Sequence, residues 1–517
     1  MNGADLLCDT LLANDIDMCF ANPGTSEMHF VAALDRKPQM RCVLGLSETV
    51  VTGAADGYAR MADKPAATLL HLGPGLGNGL ANLHNARRAR TPVLNVVGDH
   101  ATYHLHRDAP LTSDIEGIAR AVSGWVGRAN SAAEMSQRTI EAIRGTRRGD
   151  AGQVSTLILP ADAAWGQVAE RAPVKAVMAP VPQPSEGAII EAAQALRKAG
   201  ATLILGGNAL RAEATLIAQR IAQVTGCRLR AEVSNRRAAR GAGRVAIERI
   251  PYPIDMALAD LASTSHAVLL GARAPVGFFA YPGKPGDLLP EGCPVTVAAT
   301  IEECALTALQ MLAEAVGVPA GLKAQVASLE LPDRPTGELT AQNIGMAMAR
   351  HLPENAVIAS EGLTSGGPYM ALSHTAQPHD CLEITGGAIG IGFPLAAGAA
   401  LGAPDRKIVA MQADGSGAYS LQALWTQARE RLDVITMVFS NRRYQILRGE
   451  LTNVGANDPG VNATRMLTLD DPAMDWASLA RGFGVEAVTV TTAEELDDVL
   501  AARMNQKGPF LIEMIMP

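Results

Sequence analysis

Short apolar runs of β type, each closed by a glycine-rich or polar turn and followed by an alanine-rich stretch, recur along the whole chain: AATLLHL, TPVLNVVGD, STLILP, ATLILGG, HAVLLGA, KIVAMQADG, DVITMVFSN and PFLIEMIM. That rhythm is the signature of α/β layers, and it predicts doubly wound parallel sheets. At 517 residues the chain is too long for one core, and the expected number of domains is about three. Two stretches rich in Pro and polar residues break the rhythm, Ala179 to Gly187 (APVPQPSEG) and Leu331 to Gly337 (LPDRPTG). Read as linkers, they predict three α/β domains over residues 1–178, 186–330 and 338–517.

Charge and cysteine usage exclude several classes of function. A net charge of −8 gives no footprint for nucleic acid or for an anionic membrane. The local exception runs from Arg228 to Arg249, where Arg236, Arg237 and Arg240 are expected on a solvated or nucleotide-facing loop. Seven scattered cysteines with no Cys-x-x-Cys pair suggest neither zinc nor a disulfide framework, and they point to a reducing cytoplasm. The first twenty residues lack the order of a signal peptide. Ile384 to Ala403 carries no charge over twenty residues, but its six glycines and Pro394 favour a buried turn and helix over a membrane span.

Glycine clusters invite a nucleotide reading, and the templates fail. In GPGLGN from Gly73, Asn78 stands where the dinucleotide fingerprint needs its last glycine. GFFAYPGK, Gly277 to Lys284, has the wrong spacing for a phosphate loop, and Pro285 replaces the required hydroxyl. No Gly-x-Ser-x-Gly occurs. His100, His104 and His106 resemble metal spacing only superficially, and no metal site is expected of them.

The informative run is KIVAMQADGSGAYSLQALW, Lys407 to Trp425, followed by DVITMVFSNRRYQIL, Asp433 to Leu447. One apolar strand delivers Asp414 onto a Gly-Ser-Gly turn, and a second delivers Asn441. Both oxygen donors should then emerge at one edge of a parallel sheet, where ligands of open α/β sheets bind. One carboxylate and one amide carbonyl suit Mg²⁺, which takes few protein oxygens and completes its shell with phosphate and water. The amides of Gly415 and Ser416 add an anion cradle backed by a helix. The same residues could equally cap a helix and end a strand.

Asp-Gly-Ser followed a little under thirty residues later by Asn resembles the diphosphate and metal motif of thiamine-diphosphate (ThDP) enzymes, with Ala413 where that family usually has Gly. Arg41 to Asp99 resembles the same family's pyrimidine-binding domain, through Glu-x-x-x-x-Gly-x-Ala-Asp-Gly-Tyr-Ala-Arg and Gly-Pro-Gly. The resemblance implies ThDP and Mg²⁺ as cofactors, a 2-oxo acid substrate, and Glu48 as the acid that shares a proton with the cofactor's pyrimidine. Lying between LGL and TVV, Glu48 should be buried. It further implies Ile389 as the wedge that bends the cofactor, the Gly387 carbonyl as partner of the pyrimidine amine, and Thr364 and Ser365 as a second diphosphate strap. Arg443 would add a backbone carbonyl to the metal shared by Asp414 and Asn441, and Tyr444 would lie beside the cofactor.

The match spans the chain and is nearest to benzoylformate decarboxylases and acetolactate synthase large subunits. His71 follows a strand as in the decarboxylases, and with Thr25 or Ser26 it would guide the substrate carboxylate and proton transfers. The decarboxylases' second His is replaced by Ala280, while Phe278, Phe279, Tyr281 and Ile446 suggest an apolar substrate pocket. The implied reaction is loss of CO₂ to an enamine, then either protonation to an aldehyde or attack on a second carbonyl. Two alternatives remain: an acetolactate synthase catalytic subunit with FAD in its middle domain, and a non-catalytic ThDP-binding homologue. In resembling enzymes Glu48 and Asp414 come from different subunits, which implies a homodimer or homotetramer.

Overall fold

The computed structural model describes residues 1–517 and contains three parallel α/β sheets. The first has six parallel strands in the order Arg41–Leu44, Met18–Asn22, Ala66–Leu70, Val93–Asp99, Val154–Pro160 and Trp125–Arg128. The second has four, in the order Arg228–Ala231, Ala201–Leu205, His266–Leu270 and Val295–Ala299. The third runs His379–Glu383, Ala356–Glu361, Ile408–Ala413, Val434–Ser440, Phe510–Ile515 and Glu486–Val490. Taken in chain order, the first and third sheets share the arrangement 2-1-3-4-6-5. Their connections therefore reverse direction at equivalent places, between the first and third strands, and a ligand crevice opens at each such switch point.

One strand crosses between the sheets. Ala238–Arg240, from the Arg-rich segment, pairs antiparallel with His379–Glu383 and extends the third sheet to seven strands. This corrects the expectation of a solvated loop there: Arg240 is 6% exposed and donates to the Ser373 hydroxyl at 2.7 Å.

Two helices tie the first sheet to the third. Ser47 caps the helix Glu48–Ala62 by accepting from the Thr49 amide at 3.3 Å, and Asp63 at φ 54° followed by Pro65 ends it. It lies along Gly392–Gly402, the buried helix in the uncharged stretch. A methyl group on Gly398 would sit 1.8 Å from the Ala54 carbonyl oxygen, so glycine is what lets the backbones touch. No helix is long and apolar enough to cross a membrane.

Candidate active site

At the switch point of the third sheet, Glu361 pairs with Gln412 and Ala413 with Phe439, so the ends of three strands are level. Thr364 and Ser365 follow the first of these strands, Asp414 the second and Asn441 the third. Asp414 is 2% exposed. Its carboxylate accepts only from backbone amides, Gly415 at 2.8 Å and Arg442 at 2.6 Å. Burial outweighs these bonds and pushes the Asp414 carboxyl up. A buried carboxylate with no cationic side chain bonded to it suits a bound cation. Asn441 beside it folds back, its Oδ1 accepting from the Arg443 amide at 3.1 Å. The helix expected behind the cradle is a single turn, Asp414–Gly417. Tyr444 covers the cradle, with its ring 2.4 Å from where a Gly415 methyl would stand.

The turn Gly386–Ile389 is held from the first sheet's side by the helix Leu72–Ala89. Asn85 donates to the Ala388 carbonyl at 2.7 Å and accepts from the Gly386 amide at 3.1 Å, while His84 donates to the Gly386 carbonyl at 3.1 Å. No intramolecular bond uses the Gly387 carbonyl, and the residue holds a left-handed φ of 74° that favours glycine. Half-buried Ile389 precedes Gly390, which abuts Tyr419 and the Ser416 carbonyl, so this turn and the Asp414 cradle are adjacent.

Underneath lies a carboxylate that sequence reasoning missed. Glu361 accepts from the Gly390 amide at 2.7 Å, the Gly392 amide at 2.6 Å and Gln412 at 3.0 Å, and Gln412 donates on to the Ser416 hydroxyl at 2.6 Å. Burial pushes this carboxyl up in spite of its donors. An acid closing the apolar strand AVIAS was the available signal. Glu361→Ala would strand three buried donors, a cost of roughly 3 kcal/mol or more. We expect the melting temperature to fall by roughly 6–10 °C; an unchanged melt would show the network to be dispensable.

The switch point of the first sheet holds a second cluster. Ser26 and Glu27 follow the strand Met18–Asn22, and His71 follows Ala66–Leu70. Glu27, 1% exposed, accepts from His71 Nδ1 at 2.8 Å, the Gly24 amide at 2.8 Å and the Ser26 hydroxyl at 2.6 Å. With Nδ1 held by Glu27, Nε2 is the ring nitrogen of His71 left without a partner in the chain. Thr25 is exposed and makes no side-chain hydrogen bond. Glu27 was also missed, although Gly98 signals it: a methyl there would lie 1.6 Å from the Glu27 carboxylate.

Glu48, 8% exposed, opens its helix next to this cluster. Asn78 donates to its Oε2 at 3.1 Å, and Gly75 separates its Oε1 from His71. No hydrogen bond joins Glu48 to the Asp414 cradle of its own chain.

An aromatic loop from the middle of the chain covers the Gly387 turn. Phe278 meets Tyr252 at a tilt and Phe279 edge-on, with ring centroids 5.1 and 5.0 Å apart, and its ring tip lies 2.7 Å from where a Gly387 methyl would be. The Tyr281 hydroxyl donates to Glu450 at 2.7 Å, and burial with that carboxylate pushes the phenol up to about 12. Ala280 is exposed between them.

Known proteins bear on this geometry. Residues 1–118 match the model of the thiamine pyrophosphate enzyme N-terminal TPP binding domain, and residues 365–514 match that of the C-terminal TPP binding domain. A Mycobacterium tuberculosis protein provisionally named acetolactate synthase large subunit IlvX is 49% identical, covering 100% of this chain and 99% of its own. Benzoylformate decarboxylase of Pseudomonas aeruginosa is 27% identical over 98% of this chain and 97% of its own. A solved Mycobacterium smegmatis protein, provisionally described as a thiamin diphosphate-dependent enzyme, superimposes with a TM-score of 0.84 at 25% identity, with both chains fully covered. The chain belongs to the thiamine pyrophosphate-dependent enzymes, the group in which acetolactate synthases and benzoylformate decarboxylases are its relatives.

Proposed function

We propose that the protein is a ThDP- and Mg²⁺-dependent enzyme that decarboxylates a 2-oxo acid, with release or carboligation of the product. The observation that carries this reading is the pair of switch-point clusters, one acid–base (Glu48, His71, Ser26) and one made for a cation and phosphates (Asp414, Asn441, Thr364, Ser365). ThDP, when bound, supplies the carbon nucleophile and the electron sink.

The protein's own residues do the rest. Asp414, Asn441 and the Arg443 carbonyl would hold Mg²⁺, while Thr364, Ser365, Gly415 and Ser416 would hold the diphosphate, with Tyr444 covering the cradle. The free Gly387 carbonyl would accept from the aminopyrimidine, with Ile389 set beneath the cofactor. Glu48 would keep and return the proton at the pyrimidine, oriented by Asn78. His71, fixed through Nδ1 by Glu27, would offer Nε2 to the substrate side, with Ser26 and Thr25 flanking it. Because Glu48 has its bond from Asn78 and none from the cradle, we read the complete site as assembled between two subunits, in a homodimer or homotetramer.

The aromatic loop over Gly387 favours 2-oxo acids with an apolar substituent over pyruvate. FAD is the less favoured cofactor: Glu232, accepting from the Arg273 amide at 2.6 Å, stands in the crevice beyond the strands of the middle sheet.

A panel of 2-oxo acids, assayed with ThDP and Mg²⁺ for CO₂ and for carbon–carbon products, tests the reading. We expect CO₂ release from aryl or branched substrates. A yellow protein making acetolactate from pyruvate would favour the synthase, which the 49% identical relative supports. No turnover of any substrate by cofactor-loaded protein would identify a non-catalytic homologue.

A further inference from the structure

A large charged cavity lies away from both switch points. It has a volume of about 610 Å³ and is lined by six arginines, Arg147, Arg211, Arg236, Arg237, Arg244 and Arg406. Ala59 and Asp63, at the C-terminal end of the helix Glu48–Ala62, also line it. Fifteen residues of helix put it roughly 20 Å from Glu48. Asp380, at the beginning of its strand, places it at the edge of the third sheet opposite Asp414.

The charges here do not balance. Asp63 is shared by Arg211, Arg236 at 3.4 Å and Arg237 at 3.4 Å. Asp380 is shared by Arg237 at 2.9 Å, Arg406 at 2.8 Å and Arg244 at 3.3 Å. Asp150, the third carboxylate, is bonded by Asn208 at 3.0 Å, and Arg147 makes no ion pair. Six guanidinium groups against three carboxylates leave three positive charges. Arg236 has a side chain only 11% exposed, and its Nε is buried with no partner. Its own burial and the neighbouring Arg211 hold its guanidinium down at about 10. Guanidinium groups that must share too few carboxylates, one of them largely buried with its Nε unmet, are costly and call for a further counter-charge. The helix Ala212–Thr225 also directs its start, which no side chain caps, into the cavity.

We propose that this cavity binds a compact polyanion, a small molecule carrying several clustered phosphoryl or carboxylate groups. Arginine forks match the paired oxygens of both groups. No aromatic ring lines the cavity, and its apolar surface comes from small residues such as Ala59, Pro92 and Ala151. A base therefore has nothing to stack on, which favours a compact anion over a nucleotide. Because residues from all three sheets meet here, the anion would brace their relative positions.

The proposal is independent of the cofactor assignment and is tested without ThDP or Mg²⁺. The full chain is titrated calorimetrically with inorganic diphosphate, citrate and ADP, with KCl as a control matched in ionic strength. Diphosphate or citrate should bind saturably, the preferred one telling phosphoryl from carboxylate recognition. Affinity should fall at least about tenfold in Arg147→Ala and in Arg244→Gln, the equivalent of about 1.4 kcal/mol. Arg147 has no ion pair to lose, so its variant should fold as the parent does. Three results would each overturn the assignment: heats no larger than those of KCl, affinity unchanged in both variants, or ADP binding more than tenfold tighter than diphosphate.

Discussion

Glu48→Gln should reduce turnover on any accepted 2-oxo acid by about a thousandfold, within the range expected when a positioned acid–base group is lost. The amide has the size of the carboxyl and can still be met by Asn78, so the start of the helix and the packing around Gly75 should persist. It cannot, however, share a proton with a ring nitrogen and take it back. ThDP affinity, read by the cofactor-induced thermal shift, should change by only a few fold. A nuclear magnetic resonance measurement of exchange at the reactive thiazolium carbon should show the slowing directly. Turnover within tenfold of the parent would remove Glu48 from the chemistry. Loss of ThDP binding together with activity would instead make it a binding residue.

What could be read from the sequence depended on how far apart the cooperating residues lie. Asp414 and Asn441 each end an apolar run of neighbouring strands, so local pattern places both at one sheet edge. Asn85 carries no such mark: its work is to hold the Ala388 turn, 303 residues away. Glu27 and His71 are brought together only by the pairing of the strands that precede them. The Arg-rich segment was misjudged for the same reason. High charge reads as solvent-facing until Asp63 and Asp380, each more than 140 residues away, are folded against it. Its short strand, Ala238–Arg240, has too few residues to show an alternation, and its partner strand lies beyond the second Pro-rich stretch.

Asp414→Asn separates the cost of the cation site from its use. In the protein without cofactor, Asp414 is a buried carboxylate served by two amides, and burial works against its charge. The asparagine removes that charge and keeps an acceptor for the Arg442 amide, while its NH2 replaces the oxygen that accepts from Gly415; the two effects oppose each other, so the cofactor-free variant should melt close to the parent's temperature. The parent, given the ThDP–Mg²⁺ pair as one ligand at about a hundred times its dissociation constant, should gain roughly 2.7 kcal/mol from ligand binding. An amide carbonyl is a much weaker partner for a hard divalent ion than a carboxylate, so the variant should lose most of that gain and nearly all turnover at the same concentrations. Chelating Mg²⁺ from the parent should reproduce the variant's melt. A variant that keeps the full cofactor-induced shift would place the cation elsewhere, whereas a variant that melts well below the cofactor-free parent would make Asp414 a structural cap.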